Sequence, residues 1–558
     1  MKITDEFSQY YDEHIEGVYE CVDRIVINAY NPIGQTGGGF RYWWRQLKGS
    51  DEGLTNDAMK QMAGDFARRL RGWAKKNDIP VVDAHAGERK DEIAEAHVAK
   101  ATGKSGVFLI IVGTAPAPVW NIVRSVEKGH IIDIRHHRPW RYANHYHFHI
   151  MDKDWGHVVI RMCGYPPFGT QVILNGHEWV DLKAKRAGKE LERDDNSFID
   201  SLTYGYVNRL NRQLERELSL EIVCNRWLYS ACLCFGLTGK EQHATNFVYR
   251  YSIYQIELSR NYQFAKGSVL DEVYQQLLDR TRTRLDVERL KTIFGSRQRP
   301  RINIAKARKQ QRGRRAAELS REIRCLEHDL TVMKVHWDKR TLKIYDKGER
   351  LLRVEMVIHN AKALKRRRGL PDMGEISEYM RQTISRFMDV VQVAHVATVD
   401  REVYHELSKP GQLGTKRMAG IQMTNTRMRS VMDTVVALSS CPDGFTMEQV
   451  AEGVRSRMGC NRGGYDRRQA AYDLKKLRAK RFVARRKKSH RYEVAPESVG
   501  FLCGVATLHD RVIVPVLTIM SRGHKHATLQ SDPHPVDQNY EQIRCASVEI
   551  LRRLGVAA

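Results

Sequence analysis

Four runs of alternating apolar residues, HIIDIRHH, NHYHFHIM, HVVIRM and TQVILNGHEWV, follow one another within residues 130–182, the last three separated only by DKDWG and CGYPPFG. Strands this closely spaced, with Asp, Gly and Pro between them, read as an antiparallel meander with tight turns. The second run places His145, His147 and His149 at alternate positions. Residues two apart on a strand share a face, so three imidazoles stand in a row about 7 Å apart. That spacing suits two ligands converging on one divalent cation, Mg or Mn, with a carboxylate or imidazole from a neighbouring element completing the shell. Asp152, Asp154, His157, His177 and Glu178 are the nearby candidates. DKDWG is also a good hairpin turn in its own right, with Asp bonding the backbone and Gly supplying positive φ, so Asp152 and Asp154 have a purely structural reading as well.

The flanking sequence has other periodicities. Residues 15–125 alternate short apolar runs with helical patterns, which predicts an α/β layer of parallel strands over 1–128, followed by the His-rich antiparallel sheet region over 129–200. In VYRYSIYQIELSRNYQF apolar and aromatic residues recur every three or four positions, so 201–295 reads as helical. Residues 296–317 hold nine Lys/Arg and no acid. They predict a basic linker or arm over 296–325 whose Arg299, Arg301, Arg308, Lys309, Arg312, Arg314 and Arg315 contact phosphates. A β-hairpin with helices is expected over 326–400, and a helical tail over 501–558. The fold class expected is thus α/β plus α+β in a multi-domain chain, since 558 residues exceed one ordinary core.

Charge narrows the function. The chain has 92 Lys+Arg against 66 Asp+Glu, a net +26. A field this positive favours polyanions, because each neutralised phosphate releases counterions, so DNA or RNA is the expected partner. Apolar runs stop at strand length, no lipidation signal is present, and the amino terminus MKITDEFSQYYDEH is acidic where an export signal would be basic. No membrane partner is expected, and the location expected is cytoplasmic. The ten cysteines are scattered without a C-x-x-C, as in a reduced compartment.

Over 425–500, Thr446 can cap a helix, AAYDLKKLRAKR forms an amphipathic helix, and FVARRKKSHRYEV follows as two short strands. This segment resembles a winged helix-turn-helix. The resemblance implies a helix directed at the major groove, with Arg467, Arg468, Lys475 and Lys476 on it, and a wing on the backbone bearing Arg485, Arg486, Lys487 and Lys488.

HFH at 147–149 resembles the His-hydrophobic-His motif of the HUH single-strand nucleases, which include rolling-circle initiators, relaxases and some transposases. The resemblance implies that His147 and His149 hold a divalent metal that polarises a phosphate, while a helix-borne tyrosine attacks it. Tyr251 and Tyr254, or Tyr204 and Tyr206, are the nucleophile candidates. LKIYDKGERLLRVEMVIHN at 342–360 also looks like the Tyr-Asp-Lys and Arg-Val-Glu strand pair of some replication initiators.

A different active site would use carboxylates at strand ends of the first region: Asp23, Asp83 and Glu88, with Asp91 and Glu92 beside them. Aromatic and basic residues interleave at 38–49 and 136–148, a mixture able to stack unpaired bases. If Trp43 and Trp44 lie on one strand, they cannot both face inward. The expectation is a nucleic-acid-binding protein that acts as a metal-dependent nuclease or strand-transfer protein of a mobile-element or replication type. The alternative is a non-catalytic regulator or ribonucleoprotein subunit.

Overall fold

The computed structural model describes residues 5–282, 331–395 and 401–509, apart from interruptions of one to three residues, and a few positions near 542–546. The basic arm, with Arg299 to Arg315, and most of the carboxyl-terminal tail lie outside the described residues.

In chain order the strands are β1 (Ile15–Tyr30), β2 (Val81–Asp83), β3 (Gly106–Ala117), β4 (Trp120–Arg124), β5 (Ile131–His136), β6 (Arg141–Asp152) and β7 (Gly156–Cys163). They continue with β8 (Thr170–Asn175), β9 (Arg193–Asp194), β10 (Ser197–Phe198), β11 (Arg250–Phe264), β12 (Thr331–Trp337), β13 (Arg340–Asp346) and β14 (Leu351–Ile358). Ten of them form one sheet in the order β12-β13-β14-β11-β1-β8-β7-β6-β3-β2, while β4–β5, β9–β10 and two carboxyl-terminal hairpins stand apart. The regions that read separately from the sequence therefore contribute strands to one sheet.

Three of the four expected meander strands are present as β6–β7–β8, antiparallel throughout. The first run is β5, which pairs with β4 apart from this sheet, and the last run is a strand only to Asn175, where the helix Gly176–Arg186 begins. The expected parallel layer is not: β2 with β3 is the one parallel pair in the sheet. Strand–helix–strand alternation does not specify partners, and β1 pairs with β8 and β11, which come much later in the chain.

In the stretch 248–264, expected to be helical, Arg250–Phe264 is instead β11. A β-bulge explains the misreading. Val26 faces Gln255 while Ile27 faces Ile253, so Tyr254 is an extra residue and the two core residues Ile253 and Ile256 fall three apart, imitating a helical period. A second bulge sits at Asp23, between the pairs Val22–Leu258 and Arg24–Glu257.

One face of the sheet is packed against helices. The helix Gly37–Lys48, capped by Thr36, buries Phe40, Trp43 and Trp44 on one side. The two tryptophans, expected to point opposite ways on a strand, are 2% and 3% exposed because i+3 and i+4 positions of a helix share a face. Its glycines allow close approach: a Cβ on Gly37 would lie 2.2 Å from the Ile134 carbonyl oxygen. Phe66, on the helix Asn56–Lys76, stacks on Tyr146 of β6 at 4.7 Å, and Phe148 stacks on Phe235 at 6.0 Å.

A buried ionic network joins the amino terminus to the sheet and to the helix Met373–His395. Arg260 of β11 reaches Glu20 of β1 at 2.7 Å and Asp5 at 2.8 Å, and Tyr262 donates to the same Asp5 oxygen at 2.6 Å. Arg381 donates to Glu20 at 2.7 Å and also pairs with Glu215. Burial works against the Glu20 carboxylate, yet Arg260 and Arg381 outweigh it and hold its pKa below the ordinary value.

Residues 426–508 build a second hydrophobic core from helices Thr426–Leu438, Met447–Met458, Arg467–Ala479 and Pro496–Leu508 and the strands Val483–Arg485 and Tyr492–Val494. Thr446 caps the second helix, as expected, with Gln449 bonding back to it.

Removing one member of a buried ion pair strands the other, so Arg260→Met is expected to lower stability by about 3–5 kcal/mol. The urea midpoint measures it. Lys60→Ala, which breaks the exposed Lys60–Asp57 pair, should leave that midpoint unchanged.

Candidate functional site

The face of the sheet opposite the aromatic core carries the histidines. On β6, Tyr146, Phe148 and Ile150 point into the core, which leaves His145, His147 and His149 on the other side. Across β3 they face Gly113, Ile111 and Leu109, and across β7 His145 faces Cys163 and His147 faces Arg161. His157 of β7 joins them, with its Nε2 3.0 Å from Nδ1 of His149. The helix Lys90–Ala101 packs Ala94 and Ile93 on Leu109 and Ile111, which covers this end of the face.

Enclosure keeps these rings neutral. Burial pushes His147 down to about 3, with Arg161 and Lys90 adding to it, and pushes His149 down to about 3, with His157 adding to it. His145 and His157 are lowered by burial too. A neutral imidazole offers a lone pair, and Nε2 of His149 is buried with no hydrogen-bond partner, an environment that fits a metal ligand.

The expected acids do not join the histidines. Asp152 accepts the backbone N–H groups of Asp154 (2.7 Å) and Trp155 (3.1 Å), the hairpin role its sequence allows. Its other oxygen accepts from Arg226 (2.6 Å) and Trp227 (2.7 Å), and Asp154 pairs with Arg186 and Arg226. The alternation of the strand sends Asp152 to the side opposite His149. Glu178 accepts from the backbone N–H of His157 at 2.6 Å, and burial raises its pKa. Among the described residues no three His, Cys, Asp or Glu side chains form a set that could hold a metal ion.

Nor do the tyrosines reach the histidines. Tyr251 and Tyr254 lie on a strand rather than a helix, and β11 is four strand steps from β6, about 19 Å. The Tyr251 hydroxyl donates to Asn225. Tyr204 is buried with its hydroxyl on the Phe198 carbonyl (2.8 Å), and the Tyr206 ring lies under Lys189.

The proposed first-region carboxylates are scattered. Asp83 sits on β2, five strand steps from β1 or about 24 Å, paired with Arg71 at 2.6 Å, and Glu88 accepts from the backbone of His85.

Asp23 has different company. From the β1 bulge it accepts from Ser259 at 2.9 Å and lies 3.1 Å from Nδ1 of the fully buried His177. Burial raises its pKa to about 7 against the pull of Arg353, with Glu355 and Glu257 adding to the rise. Glu257 is raised by burial and by Glu355, which itself accepts from Lys343 (2.7 Å) and Tyr345 (2.8 Å). Tyr345, Arg353 and Glu355 of the Tyr-Asp-Lys and Arg-Val-Glu segment thus lie near Asp23.

This recess and the histidines share one face. The cross-strand row His147–Arg161–Gln171–Asn28 runs over β6, β7, β8 and β1, with Gln171 donating to Asn28 at 3.1 Å, and Arg24 continues on β1 toward Glu257 on β11. Sequence reasoning missed Glu257 and Ser259, and named His177 only as a neighbour of the histidine strand. The first two lie on the strand read as a helix, and the bulge that produced that misreading hid the alternation that would have revealed them.

In the carboxyl-terminal unit Arg467, Arg468, Lys475 and Arg485 are exposed. Lys476 lies 3.8 Å from the buried Asp473, and Arg486 pairs with Glu493 at 3.4 Å. Lys487 and Lys488 lie outside the described residues.

No family model matches the chain. No curated protein matches it, and no solved structure does.

Depressed imidazole pKa values imply that the folded state excludes protons the unfolded chain binds below about 6.5. Stability should therefore fall as pH drops from about 6.5 toward 3, by at most about 1.4 kcal/mol per pH unit for each excluded proton. His147→Gln/His149→Gln should flatten that slope, measured as urea midpoints at pH 4 to 7.

Proposed function

We propose that the chain binds nucleic acid and cuts or transfers its strands with the help of a divalent metal, as a mobile-element or replication protein does. The observation that carries this reading is the polar sheet face on which His147, His149 and His157 stand neutral. A positively charged chain draws phosphates toward it.

On this reading His147 and His149 hold Mg or Mn, and the orphaned Nε2 of His149 is the donor best suited to it. When bound, the metal polarises the scissile phosphate. Arg161, facing His147 across the β6–β7 pair, neutralises charge on the phosphate oxygens. Because Tyr251 and Tyr254 are remote, the attacking group is water in cutting and the terminal hydroxyl of a strand in transfer, and the displaced oxygen leaves with its own strand. The resemblance of HFH to the HUH motif supports the metal assignment and not the tyrosine step. The Asp23 recess is the competing centre on the same face, since perturbed carboxylates gather there.

The carboxyl-terminal unit reads as a winged helix-turn-helix whose helix Arg467–Ala479 is directed at the major groove while the hairpin lies on the backbone. Exposed Arg467, Arg468, Lys475 and Arg485 support that reading.

Labelled single-stranded and duplex DNA and RNA, incubated with the full chain and Mg or Mn, test the proposal. Cleavage is expected, with His147→Ala and His149→Ala each lowering its rate about 100-fold or more while binding persists. Loss only in Asp23→Asn moves the chemistry to the recess. Tight binding without cleavage identifies a regulator or ribonucleoprotein subunit. A covalent protein–DNA adduct restores the tyrosine step. Neutralising Arg467, Arg468, Lys475 and Arg485 together should weaken binding and reduce its dependence on log salt concentration by about one for each phosphate left without its cation; an unchanged slope counts against the winged-helix reading.

A further inference from the structure

The approach to β6 carries an exposed aromatic and basic segment that the packing of the molecule does not use. His136 ends β5 with its ring stacked on Trp120 at 3.7 Å, and the His137 N–H donates to the Val119 carbonyl at 3.0 Å. These contacts anchor the base of the segment. Beyond them every residue from Arg138 to Tyr142 is exposed. Trp140 is 46% exposed, the one exposed tryptophan among the described residues, and Tyr142 is 72% exposed. The Arg138 guanidinium lies 5.6 Å from the centre of the Trp140 ring. No Asp or Glu occurs from residue 134 to residue 151, while Arg135, Arg138 and Arg141 do.

Two large rings in water cost free energy unless a partner covers them, and cations beside them select that partner's charge. Unpaired bases supply flat π-faces on an anionic backbone, and duplex DNA, whose bases are already stacked on one another, does not. We propose that Trp140 and Tyr142, flanked by Arg138 and Arg141, form a stacking platform for the unpaired bases of a nucleic-acid strand. The platform opens the strand that bears the histidines: Arg141, which shares the histidine side of β6 by strand alternation, lies six residues from His147, about 20 Å, while Tyr142 falls on the alternate side with Tyr146. Bases held at Trp140 and Tyr142 sit at the start of β6, with Arg141 on the side that leads to His147 and Arg161. This proposal rests on the nucleic-acid reading above and specifies which form of nucleic acid this end of the sheet holds.

The test uses the full chain and fluorescence anisotropy of labelled oligothymidylate, oligouridylate and a mixed-sequence DNA duplex. Trp140→Ala/Tyr142→Ala is expected to weaken binding of the single strands about tenfold or more, while Trp140→Phe/Tyr142→Phe stays within about threefold of the parent. Duplex affinity should be unchanged, and circular dichroism should be unaltered because the substituted side chains are exposed. The ratio of oligothymidylate to oligouridylate affinity separates DNA from RNA as the occupant. Unchanged single-strand affinity in the alanine variant overturns the platform while leaving the nucleic-acid reading intact, as does equal loss on single strands and duplex. Failure of the parent protein to bind any of the three probes overturns the reading itself. A change in sedimentation mass in the alanine variant, with strand affinity unchanged, would make the patch an interface between copies of the chain and also overturn the platform.

Discussion

The pairing of β1 with β11 is the constraint on which the rest of the sheet depends. These are long strands, of sixteen and fifteen residues, and they bring together segments more than two hundred positions apart. Closing so long a loop is entropically unfavourable; apolar residues buried along both strands, Ile25, Ile27, Ile253 and Ile256 among them, oppose that cost, and Arg260 and Arg381 share Glu20 in the same pairing. β8 and the histidine meander attach to one edge of this pair, and β14 with the Arg-Val-Glu segment attaches to the other. Charges buried this deeply are tolerated because each has its counter-ion within hydrogen-bonding distance. The same network fastens Asp5 and the helix Met373–His395 to the sheet, so the first and the last elements around the main core are held at one point.

Bulges give the β1–β11 pair a second consequence. An extra residue in a ladder turns its side chain away from the regular alternation, and the pair has three such residues, Glu16, Asp23 and Tyr254. Asp23 is thereby set among His177, Ser259, Arg353 and Glu355 rather than at the strand end where sequence patterning placed it. The two faces of the sheet divide the work. Aromatic side chains pack one face against helices, which frees the other to hold imidazoles, carboxylates and Arg161 in a partly enclosed polar surface. Desolvation there moves imidazole and carboxylate pKa values in opposite directions, and both shifts favour the neutral form.

Much of the local structure was legible because it rests on short-range rules. The meander followed from alternation and from the turns DKDWG and CGYPPFG, the helix at 447 from its Thr446 cap, and the double reading of Asp152 from the hydrogen bonds that an Asp side chain makes in a turn. The histidine row was legible for the same reason, since i, i+2 spacing on a strand decides its face without any partner. What failed depended on context. Ile253 and Ile256 imitate a helix because Tyr254 is bulged, and bulges are set by the partner strand. Trp43 and Trp44 were misplaced because they were read on a strand, where neighbours point opposite ways, whereas they lie on a helix that buries both with Phe40.

The sequence by itself determined that this chain has a strongly positive charge, a tight antiparallel meander with three imidazoles on one face, and an aromatic and basic stretch leading into it. Only the tertiary structure decided that the His-rich strand and the Arg-Val-Glu strand belong to one sheet, that Asp152 and Asp154 serve Arg226 rather than the histidines, and that Asp23 joins Glu257 and Glu355. The physical reason is the range of the interactions. Alternation and turn chemistry act over a few residues and are written in composition, whereas strand partners and buried ion pairs are chosen by side chains that meet only once the chain has closed.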